Sequence, residues 1–232
     1  MRHRTEADGF QMKGTMNLRR SLIVSGIMLL VLGALPSAYS QTGNEVGLVI
    51  GATVTPSLSL SQGIAFAGSP TDVTFNRSLA LGAEFDRRVA TAKGFGIYGG
   101  VDYLASPFDV KLDRPSTGVS PQYAYEFLTP HIRLKFHPTG PLAPWLSFGG
   151  GFARFLEKTP DNGVGFKPGT NTGTLEFGGG IDTSTALHIL HIPVGFRFEV
   201  RDFYSGLPNY SRPVDASLQN NVAITGGVLI RF

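Results

Sequence analysis

Few side chains in this chain could carry out covalent chemistry. Five histidines occur, His3, His131, His137, His188 and His191, and cysteine is absent. Without Cys there is no disulfide, no thiolate nucleophile and no thiolate metal site. A Ser–His hydrolase or transferase needs an imidazole within hydrogen-bond reach of a hydroxyl. His3 precedes a segment laid out for export, and the other four cluster at 131–137 and 188–191, at one end of two strands and in their turns. No catalytic residue is assigned. His188-x-x-His191, with His131 or His137 nearby, could present two imidazoles to a metal. Two histidines without an assigned carboxylate make a thin ligand set, and neither a metal ligand nor a cofactor site is assigned. The runs Gly149–Gly151 and Gly178–Gly180 are not phosphate loops, because neither opens a helix.

The remaining chemistry lies in charges that recur at every second position. Glu84, Asp86, Asp102, Glu176, Asp182 and Glu199 alternate with apolar neighbours, as do Arg133, Lys135, Arg197, Arg201 and Arg231. A period of two belongs to strands, with the charges on one face and the apolar residues on the other. The closing stretch shows this plainly: Val222, Ile224, Val228, Ile230 and Phe232 share one face, and Arg231 lies on the other.

Counting such stretches gives eight strands. The first covers Glu45–Leu60 and the second centres on Leu79–Asp86. The third carries Phe95, Ile97, Val101 and Tyr103 against Tyr98 and Asp102. The fourth is Gln122–Phe136, where aromatics at Tyr123, Tyr125 and Phe127 suggest a change of phase by a bulge near Pro130. The fifth carries Leu146, Phe148 and Phe152, with Trp145 at its turn end as an interface aromatic. The sixth, seventh and eighth surround Phe177, Phe198 and Ile224. Long connections at Ser61–Asn76, Ser106–Pro121, Glu157–Asn171 and Ser205–Gln219 alternate with short ones at Arg87–Lys93, His137–Pro144 and Ser184–Leu190. That alternation is what an up-and-down transmembrane barrel requires.

Composition agrees. Charged residues make up only 16 % of the 232, against 30 Gly and 17 Phe, where a soluble domain carries about a quarter charged residues. The net charge of +3 is too small and dispersed for a nucleic-acid partner. From Met16, Arg19 and Arg20 precede an apolar core, Ser21–Leu35, and Ala38-Tyr39-Ser40 offers small residues for cleavage before Gln41. This is the layout of a secretory signal peptide, shorter than the roughly 20 apolar residues that span a bilayer. The expected organisation is an extension and signal over 1–40 and a barrel over 41–232.

The segments GGGFARF (Gly149–Phe155), FGGGID (Phe177–Asp182) and FRFEVRDFYS (Phe196–Ser205), with the ending GGVLIRF, resemble the barrel-only members of the OmpA/OmpX-type bacterial outer-membrane proteins. The resemblance implies an all-β fold, an eight-stranded antiparallel barrel in the outer membrane. It implies that Phe232 is the assembly signal read by the barrel-assembly machinery, and that outer-membrane lipid and lipopolysaccharide surround the protein. In a barrel this small the eleven charges would form a salt-bridged, largely closed interior. The expected role is structural or surface-interacting; the loop residues Pro107–Lys111 and Tyr204, Leu207 and Tyr210 either sit at the headgroup level, the favoured reading, or anchor an extracellular ligand. The alternatives are a small pore or transporter for hydrophobic or small solutes, and a lipid A-modifying enzyme.

Overall fold

The structure is a computed structural model. It describes residues 43–59, 72–75, 77–113, 122–157, 170–184, 187–189, 192–207 and 216–232; the signal-peptide reading of 1–40 lies outside them. Eight long strands carry the described chain: β1 (Asn44–Val54), β2 (Ser78–Ala92), β3 (Phe95–Asp113), β4 (Gln122–Phe136), β5 (Leu142–Glu157), β6 (Thr170–Thr183), β7 (Ile192–Gly206) and β8 (Leu218–Arg231). Each pairs antiparallel with the next in sequence. β8 returns to β1, from Glu45 opposite Arg231 to Val54 opposite Val222. The ring is therefore closed, which removes the unpaired edge that lipid could not satisfy.

Period-two alternation sets the two faces. Ile132, Phe148, Phe198 and Ile224 point outward and are each more than half exposed. Such a belt would be a sticky surface in water, but it is the lipid-facing band of a membrane barrel. The intervening residues point inward and are buried.

Several boundaries differ from the sequence reading, each where strand periodicity is interrupted. Arg87–Lys93 is not a turn: β2 runs to Ala92, past a bulge between Arg88 and Ala90 that shifts the alternation. The reversal is confined to Lys93-Gly94, with Gly94 at φ +87, a conformation glycine adopts readily. Ser106–Pro121 is not all loop. β3 continues to Asp113 beyond a second bulge between Ser106 and Val110, and Pro107 falls inside that bulge, where the ladder needs no donor.

The first strand ends at Val54 and not at Leu60, with Leu58–Ser59 a separate short strand, and short strands also occupy parts of predicted loops. Asp72–Phe75 pairs with Leu58–Ser59 and with the end of β3, and Leu187–Ile189 folds against the start of β7. The other predicted connections are trimmed by pairing at their ends, as in Ser205 opposite Gln219 and Phe155 opposite Thr170. The predicted bulge near Pro130 is absent. β4 keeps one register with β5 from Tyr123 to Lys135, so Tyr125 and Phe127 lie on the same inward face as Arg133.

Candidate functional site: the barrel interior

The inward positions stack in tiers, followed most easily along β4. From the turn end toward the long connections its inward residues are Lys135, Arg133, His131, Thr129, Phe127 and Tyr125, all buried. The turn-end half of the barrel is charged. Arg197 on β7 lies at its centre, with Nε and one Nη each donating to Asp182 at 2.8 Å. The other Nη donates to Glu84 and, at 3.4 Å, to Asp86, and the Nη that serves Asp182 also donates to Glu45 at 3.4 Å. Arg133 donates to Asp86 and, at 3.1 Å, to Glu84. Arg201 reaches Glu84, Glu199 and, at 2.8 Å, Asp102. Lys135 bridges Glu45 and, at 2.6 Å, Asp182. Arg231 pairs with Glu45 at 3.2 Å and donates to the Thr183 carbonyl at 2.8 Å. Partners come from strands on opposite walls, so the network crosses the lumen and does not merely line it.

All eleven charges named from the sequence thus lie on one inward surface, and the structure adds two residues to them. Glu45 shares the inward parity of Val49 and Thr53 on β1. It was missed because a lone acid at the start of a strand carries no alternation of its own. His131, placed at a strand end by the sequence reading, is buried between Asp86 and Asp102, at 2.8 and 3.0 Å. Of the other histidines, His137 and His188 are exposed and His191 lies outside the described residues.

Trp145 corrects a further expectation. It is not an interface aromatic but is buried, its Nε1 donating to Asp182 at 3.0 Å and its ring 4.2 Å beneath the Arg133 guanidinium. Odd positions of β5 face inward, and Gly180 opposite supplies the room: a Cβ there would lie 2.6 Å from the indole.

Above the charges, toward the long connections, the interior is apolar. Phe127 stacks on Phe203 with ring centroids 4.5 Å apart and meets Phe155 edge-on at 6.5 Å, with Leu104, Ala80, Ala153 and Ala223 filling the remainder. A hydroxyl and amide tier closes over it. Tyr125 donates to Thr53, Thr55 donates to Asn221 at 3.0 Å, and Asn221 donates to the Phe203 carbonyl at 3.1 Å. The sequence reading missed the aromatic tier because it assumed that large aromatics on a barrel strand face lipid.

Comparison with solved structures bears on the fold. Over 83 % of this chain and 98 % of the other, the structure is similar to Neisserial surface protein A (NspA), with a TM-score of 0.51 at 13 % identity. The barrel is of the small outer-membrane type. Looser likenesses are to OprG from Pseudomonas aeruginosa (TM-score 0.47, 16 % identity, 83 % and 97 % covered) and to Ail of Yersinia pestis in complex with the heparin analogue sucrose octasulfate (TM-score 0.41, 12 % identity, 82 % and 99 % covered). No protein-family model matches the chain, and no curated protein matches it by sequence.

In an outer-membrane barrel the two tiers have a plain physical consequence. Charges in the hydrocarbon layer survive only when paired away from lipid, and here the outward faces of β4 and β7 are apolar at the level where their inward faces are charged, while on β2 the exposed Arg87 lies outward at the short-turn end. Arg154 keeps the outward parity expected of it. It lies opposite Glu126 near the long-connection end of β4 and β5, where both can reach headgroups.

Proposed function

We propose that this protein is a sealed outer-membrane barrel with a structural or surface-interaction role, and that it does not conduct solutes. The observation that carries the reading is the complete burial of Arg133, Arg197, Glu176 and Asp182 within the lumen. Side chains that no water touches leave no water column between them, and eight strands leave room for little else. The aromatic tier closes the lumen a second time. A transporter of hydrophobic compounds would have to separate Phe127 from Phe203 before anything could pass. Surface contacts then fall to the long connections, reached from β7 through the exposed Tyr204 and the half-buried Leu207. Lipopolysaccharide surrounds that end, and the assembly machinery reads Phe232. Lipid chemistry is not part of the reading, since His131 is enclosed by carboxylates and His137 and His188 lie in the short-turn connections, away from the outer leaflet.

Planar-bilayer recording of the purified barrel tests this. No stable unitary conductance is expected. Reproducible single-channel steps from wild-type protein would overturn the sealed-lumen reading.

A further inference from the structure

We infer that the barrel interior contains a site for one divalent transition-metal ion, formed by Asp102 of β3, His131 of β4 and Glu176 of β6. One ligand atom from each lies within 4.8 Å of the others, and all three residues are buried. The sequence reading assigned no metal, because it had no carboxylate to set beside a histidine; these residues are far apart in the chain, and strand register brings them together.

The case rests first on the imidazole. His131 Nε2 lies 2.8 Å from an Asp86 oxygen, and Asp86 is engaged by Arg133 and Arg197. A carboxylate so held is an acceptor, so Nε2 carries the hydrogen and a neutral ring leaves Nδ1 with a bare lone pair. Nδ1 lies 3.0 Å from Asp102 Oδ2, yet the pair is not aligned as a hydrogen bond, and neither Nδ1 nor either Asp102 oxygen has a hydrogen-bond partner. Two acceptors facing each other at that distance repel unless a proton or a metal cation lies between them. A histidine that donates one ring hydrogen to a carboxylate and turns the other nitrogen to a shared point is the usual arrangement of a metal-ligating imidazole. Glu176 is oriented as well, accepting from Thr129 and, at 3.4 Å, from Ser147.

Register makes the space. His131, Gly149 and Glu176 lie opposite one another across β4, β5 and β6, and Gly100 faces His131 from β3. A Cβ on Gly149 would lie 2.8 Å from His131 Cβ, and one on Gly100 would lie 2.8 Å from His131 Cε1. The glycines let His131 and Glu176 approach across the intervening strand.

Charge balance is the second, independent observation. Among the described residues, the buried carboxylates Glu45, Glu84, Asp86, Asp102, Glu176, Asp182 and Glu199 face, besides His131, the bases Arg133, Lys135, Arg197, Arg201 and the partly exposed Arg231. With every carboxylate ionised and His131 neutral, the carboxylates are in excess by two, which one divalent cation or two protons would neutralise. The opposing groups are Arg201, 2.8 Å from Asp102 and 3.9 Å from Glu176, and Arg133, 3.8 Å from Asp102. Each is already committed to other carboxylates, Glu84 and Glu199 for Arg201, Glu84 and Asp86 for Arg133. One imidazole with two carboxylates suits Zn2+, Mn2+ or Fe2+ better than the oxygen-preferring Ca2+ or Mg2+. Because β5 separates β4 from β6, the ion would clip strands that do not pair with each other.

The test presents the ion before the barrel closes. The barrel is folded into phospholipid vesicles with equimolar Zn2+ or Mn2+, freed of unbound ion and analysed for metal. About one ion per barrel is expected in wild type and in His188→Ala, with retention at least about tenfold lower in His131→Gln and Glu176→Gln. Wild type should also unfold at higher urea when folded with the ion. A folded wild-type barrel without bound ion, equal retention by His131→Gln, or loss on His188→Ala would each overturn the site. Nitrogen NMR of His131 in wild type needs no variant to fold. A metal-bound Nδ1 supports the site, and an imidazolium in the presence of the ion means that protons neutralise the cluster and overturns it.

Discussion

Replacing Arg197 with Met asks whether the lumen is a dry ion network or a hydrated one. Met roughly preserves length and apolar packing but removes the guanidinium that donates twice to Asp182 at 2.8 Å and also reaches Glu84. Hydrogen bonds to charged groups contribute about 1.5–3 kcal/mol each, and removing one partner of a buried ion pair costs about 3–5 kcal/mol. The carboxylates are not stripped bare, however. Asp182 keeps Lys135 at 2.6 Å and Trp145 at 3.0 Å, and Glu84 keeps Arg133 and Arg201. The expected loss therefore falls at the lower end, about 3 kcal/mol. Adding Asp182→Asn should recover part of it, since the charge left in excess is then removed with its partner.

The assay is urea unfolding of the barrel in phospholipid vesicles, followed by the emission of Trp145, the chain's one tryptophan. That ring lies within the network, 5.4 Å from the Arg197 guanidinium, so its emission reports on the tier being perturbed. A loss under about 1 kcal/mol, the value of a solvent-screened pair, would refute the dry-network reasoning and the sealed lumen with it.

Four further outcomes follow from the same geometry. Phe198, 62 % exposed on the lipid face, should cost about 2–4 kcal/mol as Phe198→Arg if it lies near the bilayer midplane, seen as a smaller heat-modifiable fraction on gels. Gly180→Ala places a Cβ 2.4 Å from the Phe198 carbonyl and 2.6 Å from Trp145, so a loss of about 1–3 kcal/mol and shifted Trp145 emission are expected. Phe127→Ala should destabilise by about 3–5 kcal/mol yet remain non-conducting in planar bilayers, because the charged tier still closes the lumen. Deleting Phe232 should lower outer-membrane levels more than export, measured by fractionation of cells expressing the truncated chain.

The reach of the sequence reading follows from what a period of two encodes. Parity alone tells which face a residue occupies, and in a closed sheet parity propagates, so the inward placement of Glu84, Arg133 and Arg197 could be read without knowing their partners. It fails where a bulge resets the count, as at Arg88–Ala90 and Ser106–Val110, because the inserted residue looks like the end of a strand. It also fails where residue type is allowed to outvote parity. Tyr125, Phe127 and Trp145 occupy inward positions, whereas the expectation that large aromatics face lipid turns them into a phase change and an interface anchor. What no periodicity could supply is shear, the stagger that decides which strands meet across the lumen. Asp102, His131 and Glu176 are dispersed in sequence, and they become neighbours only through the register of β3, β4, β5 and β6 and the glycines paired with His131. The elements of a small barrel are thus written locally in its strands, whereas the chemistry of its interior depends on how the ring is joined. A local signal for such a site would be glycines paired in register with a lone inward histidine, as Gly100 and Gly149 are with His131.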